Sequence, residues 1–102
     1  MINDKAVYEF LDAHSLRCGV NERYMDISSE LGELGKELLK ATDYGTKPFE
    51  RTPDTGSELG DCLFSLIALS RELGIDPADA LTGAINKYEA RLADKGSAGS
   101  GR

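Results

Sequence analysis

Apolar residues recur at alternating three- and four-residue steps between Glu22 and Thr42: Tyr24, Ile27, Leu31, Leu34 and Leu38. That spacing makes one face of an α-helix apolar and does not suit a strand, whose side chains alternate every second residue. The stripe is expected to face a core, on a helix starting after Asn21 and ending near Thr42. Three more helices follow from the same kind of pattern. The first spans about Asp4 to Arg17, with Asn3 as N-cap, an apolar face of Val7, Phe10, Leu11 and His14, and a stop at Cys18-Gly19. The third runs from Ser57 to Leu73 with Gly74 as the C′ residue. Its CLFSLIAL segment is apolar almost all round, so this helix should be central. The fourth opens at Asp76-Pro77, an N-cap followed by proline at the first helical position, and should bury Leu81, Ala84, Ile85, Tyr88 and Leu92.

No strand pattern interrupts this sequence of helices. The chain reads as all-α, a single four-helix domain over residues 1–94 with a flexible Gly/Ser-rich tail at 95–102. So small a domain with an almost uniformly apolar third helix should complete its core by homo-oligomerisation. A 15-residue connection, DYGTKPFERTPDTGS, joins the second and third helices. Its prolines and glycines exclude a regular helix, and a link of that length in a small domain is often functional. Gly32 and Gly35 each cost a helix interior about 1 kcal/mol relative to alanine, so they leave room for a close helix approach or for a ligand.

The net charge is −6, which argues against a nucleic-acid polymer as partner unless a cation intervenes. The longest apolar stretch, Cys62 to Leu69, is too short to cross a bilayer, and the first ten residues lack a signal-peptide core. A cytoplasmic protein without membrane contact is expected. Cys18 and Cys62 have neither CxxC spacing nor histidine neighbours and read as small packing residues.

Two acidic pairs stand out: Glu30 with Glu33, and Glu58 with Asp61, each at i,i+3 on one helix face. Each pair has a plain structural reading. Thr55-Gly56-Ser57-Glu58 fits a capping box, and Glu33 with Lys36 or Glu37 with Lys40 fits a solvated ion pair. Together, on two helices able to pack antiparallel, the pairs point to a magnesium site, with manganese as the alternative for oxygen-only ligands. A ferritin-like di-iron centre needs Glu-x-x-His motifs, which a lone His14 cannot supply. Magnesium in turn points to a phosphate-bearing substrate. Lys87 and Arg91, at i,i+4 on the fourth helix, offer a point charge and a guanidinium fork to phosphate oxygens. Tyr44 and Phe49 on the long connection are the aromatic residues best placed to stack on a base, with His14 as a weaker polar contact.

The residues E-L-G-E, a spacer of 24, and then E-L-G-D opening an apolar helix resemble the MazG-type all-α nucleotide pyrophosphohydrolases. The likeness continues through FSLIALSRELGIDPADAL to INKYEARL, covering roughly Glu22 to Leu92. It implies a MazG-like helical bundle acting as a homodimer or homotetramer, with sites near the subunit interface. It also implies magnesium-dependent hydrolysis of nucleoside triphosphates, ribo or deoxy, to the monophosphate and pyrophosphate. On this resemblance Glu30, Glu33, Glu58 and Asp61 are the metal ligands, Lys87 and Arg91 bind phosphate, and Glu33 or Glu37 acts on the attacking water. Ser29 stands where the family pattern often has a glutamate, a place Glu37 would have to fill. Two other readings are phosphoribosyl-ATP pyrophosphohydrolase, from the same superfamily, and a non-catalytic helical interaction module.

Overall fold

The computed structural model describes residues 2–95; residues 96–102 of the expected tail lie outside the described residues. Four helices follow one another: α1 (Asp4–Ala13), α2 (Val20–Ala41), α3 (Thr55–Glu72) and α4 (Pro77–Lys95), with no strand among the described residues. Asn3 caps α1 as expected, its Oδ1 accepting from the Ala6 amide at 3.0 Å. α1 ends four residues earlier than the periodicity suggests. Ser15 turns left-handed at φ 54°, and the Leu16 amide reaches back to the Leu11 carbonyl at 2.9 Å. The same six-to-one closure ends α2, through Tyr44 to Leu39, and α3, through Ile75 to Ser70. At α3 the turn is made by Gly74 at φ 70°; at α2 the non-glycine residues Asp43 and Tyr44 adopt it.

α2 and α3 pack antiparallel. At one end the Ser65 hydroxyl donates to Asp26 at 2.8 Å, and at the other the Thr52 hydroxyl donates to Glu37. α1 lies against the C-terminal half of α3, with Phe10 edge-on to Phe64 at 5.8 Å. Arg71 forks onto Asp12 at 2.9 and 2.8 Å, and Arg17 forks onto Glu72 at 3.1 and 3.3 Å. The apolar core of the described residues is small: Leu11, Ile27, Ala41, Cys62, Ile67 and Ala68.

Three expectations about burial are corrected. The face of α2 that meets α3 runs through Arg23, Ile27, Glu30, Leu34, Glu37 and Ala41, so of the predicted stripe Ile27 and Leu34 turn inward while Tyr24, Leu31 and Leu38 are left exposed. α4 stands off α3 and forms no packed interface with any helix, so Leu81, Ile85, Tyr88 and Leu92 are each about half exposed instead of buried. α3 is central, touching α1 and α2, but its third side of Leu59, Leu63 and Leu66 is uncovered. Cys18 is also exposed, while Cys62 is buried as expected. The radius of gyration, 16.8 Å, exceeds the ~13 Å of a compact domain of this length, in keeping with a diverging α4.

Candidate metal site between α2 and α3

Because the two helices run antiparallel, Glu30 on α2 comes level with Glu58 and Asp61 on α3. One ligand oxygen from each of the three lies within 4.8 Å of the others. The capping box expected at Glu58 is absent. Asp54 is the N-cap and makes no side-chain bond, and Thr55 is already helical, its hydroxyl accepting from the Thr52 amide at 3.1 Å. Glu58 therefore has no capping partner, and no lysine or arginine forms an ion pair with any of the three acids among the described residues.

The electrostatics record the crowding. Burial, followed by the charge of Asp61, raises the carboxyls of both Glu30 and Glu58 above their ordinary range. A cation seated among these oxygens would remove that penalty. The Cys62 thiol is pushed up by burial and then by the Glu30 carboxylate, and its sulfur is not among the clustered ligand atoms. The donor set is thus all oxygen, which fits magnesium or manganese.

One turn below Glu30, Asp26 accepts from Ser65 at 2.8 Å and from Arg23 at 3.3 Å, while Arg23 also donates to the Leu16 carbonyl at 2.6 Å. This network ties both helices together beneath the acids. Sequence reading missed it, though Asp26 is i−4 from Glu30 and Ser65 is i+4 from Asp61, so face arithmetic alone identifies both.

The remaining sequence candidates are dispersed. Glu33 is exposed and lies outside the three-oxygen cluster, near enough for its charge to raise both Glu30 and Glu58. Glu37 is buried, accepts from the Thr52 hydroxyl and faces Lys40 at 3.7 Å, the ion pair anticipated from its spacing. Tyr44 and Phe49 are exposed on the connection between α2 and α3. His14 packs on Phe10, ring centroids 4.5 Å apart, at the end of α1. Lys87 and Arg91 flank the Tyr88 ring at 5.3 and 5.9 Å on α4, which does not carry them to the acids. Nothing lies within 4 Å of a side chain built at Gly32 or Gly35, so neither glycine serves a close approach within the chain.

Fold and site together define a class: an all-helical domain whose central antiparallel pair is closed over a carboxylate cluster. The MazG nucleotide pyrophosphohydrolase domain matches residues 7–94, and the chain belongs to that family. No curated protein and no solved structure gives a significant match.

Proposed function

We propose that the chain is a magnesium-dependent nucleoside triphosphate pyrophosphohydrolase of the cytoplasm, releasing pyrophosphate and the nucleoside monophosphate. The observation that carries this reading is the convergence of Glu30, Glu58 and Asp61, unpaired with any base, in a protein of the MazG family. These three residues would hold the divalent ion, with Glu33 beside them. Bound there, magnesium or manganese would supply charge neutralisation for the triphosphate and a more acidic water molecule. Glu33 is the acid best able to take the water's proton, since Glu37 is already committed to Thr52 and Lys40. Water oxygen bonds to the α-phosphorus, the bond to the α–β bridging oxygen breaks, and pyrophosphate leaves with that electron pair. Lys87 and Arg91 hold the phosphates, and Tyr44 and Phe49 contact the base; the packing of His14 on Phe10 favours those two over His14.

A panel of ribo- and deoxynucleoside triphosphates, with phosphoribosyl-ATP included, tests the reading by magnesium-dependent pyrophosphate release. Turnover of a triphosphate, lost more than ~100-fold in Glu58→Gln and Asp61→Asn, is the expected result. Preference for phosphoribosyl-ATP reassigns the substrate. No turnover together with no magnesium-induced rise in melting temperature removes the enzyme reading and leaves a helical interaction module.

A further inference from the structure

Beneath the acidic cluster, Asp26 takes two hydrogen bonds on one oxygen. Its Oδ2 accepts from the Ser65 hydroxyl at 2.8 Å and from Arg23 Nη1 at 3.3 Å. Stability alone does not account for this arrangement. Arg23 is buried, yet its Nε has no partner among the described residues, a desolvated donor that an apolar side chain in the same place would not carry. Asp26 also adds a further carboxylate to a crowded seam: after burial and the charge of Asp61, its charge is the next that raises the Glu30 carboxyl. Although so near Glu30, Asp26 stays outside the three-oxygen cluster of Glu30, Glu58 and Asp61. What holds it there is anchored elsewhere. Arg23 Nη2 donates at 2.6 Å to the Leu16 carbonyl, in the turn that closes α1, so the guanidinium reaches from that turn to the α2–α3 seam.

We infer that Asp26, held by Arg23 and Ser65, is a register pin that sets the spacing of Glu30 and Asp61 for the metal ion without ligating it, with Arg23 as the positioning residue. This rests on the pyrophosphohydrolase reading, which makes the cluster an ion site. Asp26 is four residues before Glu30 and Ser65 four after Asp61, so on antiparallel helices their bond crosses the seam about 6 Å from the two ligands. Any slip of α2 along α3 that separates Glu30 from Asp61 must stretch that bond. Magnesium holds its oxygens at about 2.0–2.1 Å in a near-octahedral array, so a slip of only ~1 Å takes a ligand out of place. The other end of α2 is pinned by Thr52 on Glu37, and the acids lie between the two bonds. Arg23 gives the pin its fixed point, because its second bond is to backbone outside both seam helices.

Binding of Mn²⁺ alone, followed by its electron paramagnetic resonance signal and reversed by Mg²⁺, reads the pin without nucleotide. Arg23→Met, Asp26→Ala and Ser65→Ala should each weaken the binding of both ions about 10–100-fold at a temperature where circular dichroism shows them folded. Asp26→Asn, which keeps an acceptor for Ser65 and Arg23, should keep most of the affinity. Arg71→Met removes the pair with Asp12 and the bond to the Tyr8 carbonyl, away from the cluster, so it should melt lower yet bind ions as wild type does. Wild-type affinity in Arg23→Met or Asp26→Ala overturns the proposal, and if neither variant folds, wild-type affinity in Ser65→Ala does so. Asp26→Asn as weak as Asp26→Ala makes Asp26 a ligand and overturns it too. So does an equal loss in Arg71→Met, which would mark general loosening. In turnover, Arg23→Met should raise the magnesium concentration for half-maximal rate by the same factor and leave kcat at saturating magnesium nearly unchanged. A wild type whose Mn²⁺ binding depends on Glu58 and Arg23 but which turns over no nucleotide refutes the pyrophosphohydrolase reading alone; one that binds no Mn²⁺ overturns both.

Discussion

Replacing Thr52 by valine should destabilise the protein while leaving its response to magnesium intact. Thr52 is the clasp between the long connection and both central helices. Its hydroxyl donates to Glu37 and lies 2.9 Å from that of Thr55, and its amide donates to Thr55 at 3.1 Å. Glu37 is buried, and its other contact is Lys40 at 3.7 Å, whose side chain is mostly in water. Valine keeps the shape but sets a methyl group against a buried carboxylate. A hydrogen bond to a charged group contributes ~1.5–3 kcal/mol net. A loss of ~2 kcal/mol lowers the midpoint of a domain of this size by about 8–16 °C. Thermal melts followed at 222 nm, near pH 7 with chelator, measure it. Thr52→Ser, which keeps the hydroxyl, should stay within about 4 °C of wild type. Because Glu37 lies outside the cluster of Glu30, Glu58 and Asp61, Thr52→Val should still gain stability on adding magnesium. A valine variant that melts within 2 °C of wild type, using ~0.5 kcal/mol or less, refutes the clasp. A variant that loses the magnesium response places Glu37 in the metal site.

The other predictions bear on the same interface. Glu58→Gln should raise the melting temperature of the metal-free protein and abolish the magnesium-induced rise; a fall in the metal-free value would restore the capping role that the structure denies it. Ser65→Ala, which takes a buried donor from Asp26, should cost ~1 kcal/mol in denaturant melts and weaken the magnesium response by loosening the turn beneath Glu30. Gly35→Ala, facing open space in the chain, should add up to ~1 kcal/mol of stability; a loss of turnover at unchanged fold would mean that a ligand or second chain needs the gap. With pH, two opposite slopes are expected in chelator. Asp12 is held below its ordinary range by its bond to Arg71, so its contribution is complete above the unfolded value and disappears as pH falls through the depressed one. Glu30 and Glu58 are raised, so the folded state binds more protons than the unfolded one and loses stability as pH rises from the ordinary carboxyl value through theirs. Metal-free melts should therefore peak in mildly acidic buffer, and magnesium should remove the decline on the alkaline side. A midpoint that climbs steadily to pH 8 without metal contradicts this.

The helices were legible because their signals are local. Asn3, the Asp76-Pro77 start and the Gly74 stop each act through bonds within one turn, and each is found where the residues place it. Ser15 was not readable as a stop, since a left-handed serine carries no mark in composition. The acidic pairs were legible as a site because both spacings put like charges on one face, yet spacing cannot rank the members. It gave Glu33 the same weight as Glu30, whereas the antiparallel register makes Glu30 the one level with Glu58 and Asp61. The clasp of Thr52 on Glu37 left no trace at all, because it joins residues 15 apart across an irregular segment.

The misread face of α2 follows from a more general limit. Periodicity reveals that a helix has an apolar stripe but not which neighbour that stripe meets. α2 bears two adjacent stripes, one polar and interrupted (Arg23, Glu30, Glu37) and one richer in apolar residues (Tyr24, Leu31, Leu38), and within the chain the first is the one that packs. A chain folding for burial alone would turn the leucines of α2 toward those of α3. Here the α2–α3 seam encloses Arg23, Glu30, Glu37, Glu58 and Ser65 beside Ile27, Leu34, Ala41 and Cys62, while Leu31, Leu38, Leu59, Leu63 and Leu66 point outward. Carboxylates held together in this way weaken the seam until a cation joins them, and outward leucines weaken the chain until another surface covers them. Metal binding and association should therefore each raise stability by relieving a different deficit of the same helix pair. Their effects on the melting temperature should be close to additive for Glu58→Gln combined with Ile85→Glu, because the two residues lie on helices that form no packed interface with each other; a double variant that departs from the sum contradicts this.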